Sequence, residues 1–267
     1  MTESAKSPPQ KTERLIRALF THFGPQNWWP ARSRLEVIVG AILTQNTNWR
    51  NVELAIANLR QARLLTVARL REVSRSRLQS VIRPSGFYRQ KATTLKTFIR
   101  FLDANYSGSL HRMFATPTDR LRSQLLSIKG IGHETADSIL LYAGSHPIFV
   151  VDAYTRRIVV RHGLHRNPRQ LTYDEIRSLF EGAMSDPVAP SPSGRRHQDW
   201  RRDPRSPRHP PSPGSRLRRP ALAQQYNELH AMIVRIGTQY CRKTPDCDSC
   251  PLRGQLPPRS GYLRHKG

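Results

Sequence analysis

Along most of the chain, apolar residues recur at steps of three and four. Leu15, Ile16, Leu19, Phe20 and Phe23 share one helical face, and Gly24 supplies a stop. LEVIVGAILTQ is almost continuously apolar, which predicts a helix buried on most sides. NVELAIANL, SRLQSVI, KATTLKTFIRFLDANY and DRLRSQLLSI carry the same period, with RPSGFY as a turn leading into one of them. ALAQQYNELHAMIVRIGTQY is a further helix, with Tyr226, Leu229, Ile233 and Ile236 in register. The strand-like run IFVV, at 148–151, is too short to imply a sheet. The pattern is that of an all-α protein.

One segment breaks the pattern. Residues 185–220 hold nine Arg, nine Pro and almost no large apolar side chain. Such a stretch buries too little surface to offset its ordering entropy, so a disordered Arg/Pro-rich insertion is expected. It reads as an inert linker or as out-of-frame translation of GC-rich DNA ahead of a DNA-tracking arm. Residues 1–10 read as a disordered tail. The net charge of +25 falls only to +19 when the nine Arg and three Asp of the insertion are removed. A polyanionic partner is therefore the first expectation. MTESAKSPPQKTER is polar throughout, so no membrane partner is expected. Three cysteines confined to 241–250 do not form a disulfide framework, which fits a cytoplasmic, nucleoid-associated setting.

SIKGIGHETADSIL, at 127–140, has the layout of a helix–hairpin–helix. Gly130 and Gly132 let a backbone approach a phosphate, and a helix opening at about His133 turns its N–H groups toward the anion. Twelve residues later VVDAY places Asp152 at a helix start, where it could serve simply as a cap.

GIGHETADSILLYAGSHPIFVVDAYTRRIVVRHGL resembles the core motif of the endonuclease III superfamily of helix-hairpin-helix DNA glycosylases, and AILTQNTNWRNVE resembles its N-terminal motif. NWWPARSRLEVIVGAILTQNTNW and VIRPSGFYRQKA are more similar to one branch, 3-methyladenine DNA glycosylase III and the endonuclease III-related proteins. The resemblance implies two helical lobes. Residues 31–144 would form a central bundle carrying the hairpin. Residues 11–30, 145–184 and 221–252 would form a second lobe with the Cys loop.

Through this resemblance Asp152 matches the essential aspartate, whose ionised carboxylate stabilises oxocarbenium-like charge as the glycosidic bond breaks. Glu134 stands where bifunctional members carry a lysine that attacks the sugar. Having no amine, it implies base removal without strand cleavage. As a carboxylate near the base it would complement a cationic alkylated purine. Trp28, Trp29 and Trp49 are candidate walls for a flipped, cationic base. Gln45 matches the residue that enters the duplex, and Gly130, Gly132 and His133 would bind DNA. Arg83, Arg89, Lys91, Arg156 and Arg157 are plausible phosphate contacts.

Iron–sulfur members space four cysteines as C-x6-C-x2-C-x5-C. Here Cys241, Cys247 and Cys250 keep the x2 step, the first gap is x5, and the fourth place falls on Leu256. A 4Fe-4S cluster at this loop is expected to be absent or labile, and the chemistry itself requires no cofactor.

The reading is a monomeric, monofunctional glycosylase acting on double-stranded DNA with a damaged base, excising alkylated purines by N-glycosidic hydrolysis. Two alternatives stay open. One is an endonuclease III-like glycosylase and AP lyase acting on damaged pyrimidines; the other is an inactive DNA-binding helix-hairpin-helix protein.

Overall fold

A computed structural model describes residues 8–23, 26, 28, 31–184, 212, 213 and 217–257. The described residues are helical, with no strand among them. Nearly all of the Arg/Pro-rich insertion, and Trp29 and Gly24 with it, lie outside the described residues.

The first helix, α1 (Pro8–Phe23), buries Leu15, Ile16 and Leu19 completely and leaves Phe20 half-buried. It starts inside the segment expected to be a disordered tail, which corrects that boundary. A proline fits the first helical turn, where its missing N–H has no partner to lose. Helices α2 (Arg34–Leu43), α3 (Trp49–Gln61), α4 (Val67–Glu72) and α5 (Arg75–Val81) follow. Each begins at a polar side chain (Ser33, Asn48, Thr66 and Ser74) that accepts a backbone N–H three residues on. Leu35 through Leu43 of α2 are all buried, as its continuous apolar run requires. Glu36, 3% exposed within that run, is paired with Arg60 of α3.

A 3₁₀ turn at Arg83–Ser85 leads into the long α6 (Tyr88–Tyr106). Then come α7 (Leu110–Phe114), α8 (Thr118–Leu126) and α9 (His133–Ser138), and α9 runs on into a wider π-helical turn at Ile139–Gly144. Residues 31–148 make up most of one compact unit.

The other unit contains α1, the chain from Phe149 through the described residues up to Met184, and Arg219 onward. It comprises α10 (Ala153–Arg161), α11 (Tyr173–Gly182) and α12 (Ala221–Gln239). The strand-like IFVV run is extended but has no strand partner. Instead, Phe149 N–H donates to Glu181 Oε1 (2.9 Å) and Val151 N–H to the Tyr173 hydroxyl (3.1 Å), both on α11. Side chains thus satisfy two of the backbone N–H groups of this buried segment. α12 buries Tyr226, Leu229, Ile233 and Ile236, the four residues in register in the sequence. Gly237 lets α12 approach α10 closely, because a β-carbon there would run into the Tyr154 ring.

Candidate active site and nucleic-acid interface

In the first unit, α8 and α9 form the hairpin with SIKGIG between them. Ile128 and Ile131 are buried and anchor the loop, while Lys129, Gly130 and Gly132 face outward. Gly130 has φ +94°, which an L side chain rarely adopts, and a β-carbon there would overlap Thr94 Oγ1. Gly132 is different. Its φ of −95° suits any residue, and a β-carbon would meet only open space. Its missing side chain therefore has no internal reason, and it leaves the N-terminus of α9 bare.

The hairpin is braced from beneath. Arg122 of α8 donates to both carboxylate oxygens of Asp137 (2.7 and 3.2 Å), and Asp137 is fully buried. Arg122 also lies 3.0 Å from His133 Nδ1, so His133 is tied to the brace at the hairpin's rim. Glu134 is exposed in the first turn of α9. Gln45, just past α2, donates its amide to Gly130 O (2.9 Å) and to Thr135 Oγ1 (3.0 Å). That arrangement seats the α2 terminus against the hairpin.

Lys91 departs from expectation. It was a candidate phosphate contact, but it is 3% exposed and donates to Leu43 O (2.9 Å) and Ser85 O (2.6 Å). Burial pulls its ammonium down to about 8. Its role is to bind the 83–85 turn to the end of α2. Arg157 is likewise structural: it donates to Gly237 O (3.2 Å) and lies over the Tyr154 ring. Arg83, Arg89 and Arg156 remain exposed.

The sequence did not single out Phe87. It is 61% exposed and sits at φ +45°, a strained setting for a bulky residue, between exposed Arg83 and Arg89. Asn46, Gly86, Phe87 and Gly130 all have positive φ, and the bonds of Gln45 and Lys91 link their turns through the end of α2. Strained turns on one supported surface are a common setting for ligand contact. Trp49 opens α3 half-buried.

In the second unit, Trp28 is half-buried and its carbonyl accepts from Asn227 of α12 (2.6 Å). Asp152 is the N-cap of α10 and is 8% exposed. Its Oδ1 accepts from Thr155 N–H (2.7 Å) and Thr155 Oγ1 (2.9 Å), while Thr155 Oγ1 accepts Asp152 N–H in return (3.4 Å). This is a reciprocal capping box. Its Oδ2 lies 3.5 Å from His230 Nε2 on α12. Burial alone would push the carboxyl up, but His230 and the two Thr155 donors outweigh it and hold it below its ordinary value. The result is a buried, ionised carboxylate at a helix N-terminus, suited to stabilising an adjacent positive charge or to taking a proton from water.

The cysteines lie in the same unit, in a loop after α12. Arg161 of α10 donates to Cys241 Sγ (3.2 Å), Arg242 O (2.7 Å) and Lys243 O (3.2 Å). Burial pushes the Cys250 thiol up to about 11. Leu256 lines the same small cavity as the three cysteines. Among the described residues no group of three or more Cys, His, Asp or Glu side chains is arranged to hold a metal ion. Three thiols with a leucine in the fourth place do not fit a four-thiolate cluster.

An all-helical fold with a glycine-turned hairpin and a capped aspartate is the arrangement the sequence led us to expect of a protein acting on nucleic acid. The comparisons agree. The profile of the HhH-GPD superfamily base excision DNA repair proteins matches residues 39–183. A candidate DNA repair glycosylase of Methanocaldococcus jannaschii is 40% identical over 242 residues, covering 90% of this chain and 93% of its own. Endonuclease III of Thermotoga maritima is 30% identical, covering 66% and 78%. Among solved structures, H. pylori 3-methyladenine DNA glycosylase bound to 1,N6-ethenoadenine aligns with a TM-score of 0.66 at 26% identity, covering 86% and 97%. A trapped endonuclease III–DNA covalent intermediate shares the fold, with a TM-score of 0.69 at 19% identity, covering 97% and 99%. The chain belongs to the HhH-GPD superfamily of base excision DNA repair proteins, and its class is that of a DNA glycosylase. No described helix is long and apolar enough to cross a membrane.

Proposed function

We propose that the protein is a monofunctional glycosylase that hydrolyses the N-glycosidic bond of alkylated purines in duplex DNA. The observation that carries this reading is Glu134. At the hairpin position where bifunctional relatives carry an attacking lysine, this chain has a carboxylate in the exposed first turn of α9. Without an amine there, no Schiff base forms and the strand stays uncut. The amine of Lys91 is engaged by two carbonyls and does not substitute. A carboxylate also favours a base that carries positive charge. The similarity to a 3-methyladenine glycosylase supports the same substrate class.

Asp152 supplies the negative charge that stabilises the oxocarbenium-like sugar, and water completes the hydrolysis. Phe87, Gln45 and the bare Gly132 turn would engage the duplex. Base release from methylated duplex DNA, read by chromatography beside a gel for strand nicks, tests the proposal. Released methylpurine with intact strands, lost in Asp152→Asn, is the expected result. Nicks abolished by that substitution would favour the bifunctional alternative, and absence of methylpurine release would remove alkylated purines as the substrate.

A further inference from the structure

We propose that His230 is a positioning residue for Asp152, fixing which lone pair of the carboxylate is left to face the reaction. The inference rests on the reading of Asp152 as the reaction's carboxylate.

A carboxylate offers about four lone-pair sites. On Asp152, two donors from Thr155 converge on Oδ1, and His230 Nε2 approaches Oδ2 at 3.5 Å. That distance is within ion-pair range without the geometry of a hydrogen bond. With the two Thr155 donors taking Oδ1, Oδ2 is the oxygen left to face the reaction, and the imidazole beside it decides its direction. An Nε2-protonated neutral ring and a cationic ring both carry a hydrogen at this nitrogen, so the contact survives in either state.

The ring itself is held. His230 is 6% exposed and meets the edge of Phe149 with centroids 6.4 Å apart. Phe149 in turn stacks on Phe180 at 4.8 Å. The spacing between α10 and α12 is set independently by Gly237 beneath Tyr154 and by the Arg157 bond to Gly237 O. Backbone and aromatic packing therefore fix the histidine before any substrate arrives. Preorganisation of this kind matters because misplacement of a reacting group by about 1 Å can slow catalysis about a hundredfold.

The test compares His230→Phe with His230→Gln in single-turnover base release, alongside affinity for abasic-site DNA. The Phe variant is expected to slow excision by about tenfold to a hundredfold with affinity unchanged. The Gln variant, which keeps a donor, should recover most of the rate. An undiminished rate in Phe, or a folded Gln variant as slow as Phe, would overturn the proposal. Long-range proton–nitrogen NMR gives a readout without turnover: the His230 ring should carry hydrogen on Nε2, and its shifts should move in Asp152→Asn. A ring indifferent to that substitution refutes the pairing whatever the substrate. A responsive ring in a protein that excises no tested lesion would instead count against the proposed function.

Discussion

Gly130 lies against Thr94 so closely that a β-carbon at position 130 would overlap the threonine hydroxyl. The two hairpin glycines therefore serve different ends. Gly130→Ala meets both a clash and φ +94° and should destabilise the fold by about 1–3 kcal/mol in urea denaturation. Gly132→Ala projects into open space, so stability should hold while affinity for duplex DNA falls. Equal loss of stability in both would contradict this division.

Removing Arg122 takes two charge-assisted hydrogen bonds away from a fully buried carboxylate. Arg122→Leu should cost about 3–5 kcal/mol, the usual penalty for breaking one side of a buried pair. Adding Asp137→Asn should return part of that loss, and a double-mutant denaturation series reads the recovery directly.

Phe87 holds a strained backbone and an exposed ring without internal benefit. In Phe87→Asn the left-handed conformation is tolerated, so the melting temperature should not fall. Loss of an aromatic that stacks on a base should weaken DNA binding by about 1–3 kcal/mol. Unchanged affinity would show that the ring never meets DNA.

The Asp152 carboxyl is held below its ordinary value of 3.8 in the folded state. The unfolded chain therefore takes up the proton first as pH falls, so this contribution to stability is complete above about pH 4 and fades below it. Wild type should exceed Asp152→Asn in stability at neutral pH, and the gap should narrow through that acid window. A gap independent of pH would rule out an ionised cap.

Arg161 bonds to Cys241 and to two carbonyls of the cysteine loop, and we propose that these bonds hold the loop without a metal cluster. Iron chelation should leave the melting temperature unchanged, whereas Arg161→Ala should speed amide exchange over 241–256. A coloured protein that melts lower after chelation would reverse this view.

Much of the fold was legible because helical period and end signals act locally. The α2 run, the buried stripe of α12 and the glycine turn all appear where their residues predicted. What escaped depends on contacts between segments distant in the chain. Lys91 reads as one more surface cation, and only its two carbonyl partners reveal a buried tie. His230 sits beside Leu229 in an apolar stripe and reads as packing. Its meaning comes from Asp152, far away in the chain. The strain at Phe87 is a backbone property that composition does not announce. The first turn of α1 was missed because prolines in a polar stretch look like a tail.

The capping box at Asp152 has a consequence for inheritance. One side chain serves both the start of a helix and the charge proposed for hydrolysis, so drift at this position is opposed by foldedness as well as by activity. A descendant that had lost its enzymatic role would still be held to a capping side chain, aspartate among them, by the demands of α10. Finding aspartate here in another genome is thus a record of an intact helix, and is not by itself proof of a working enzyme.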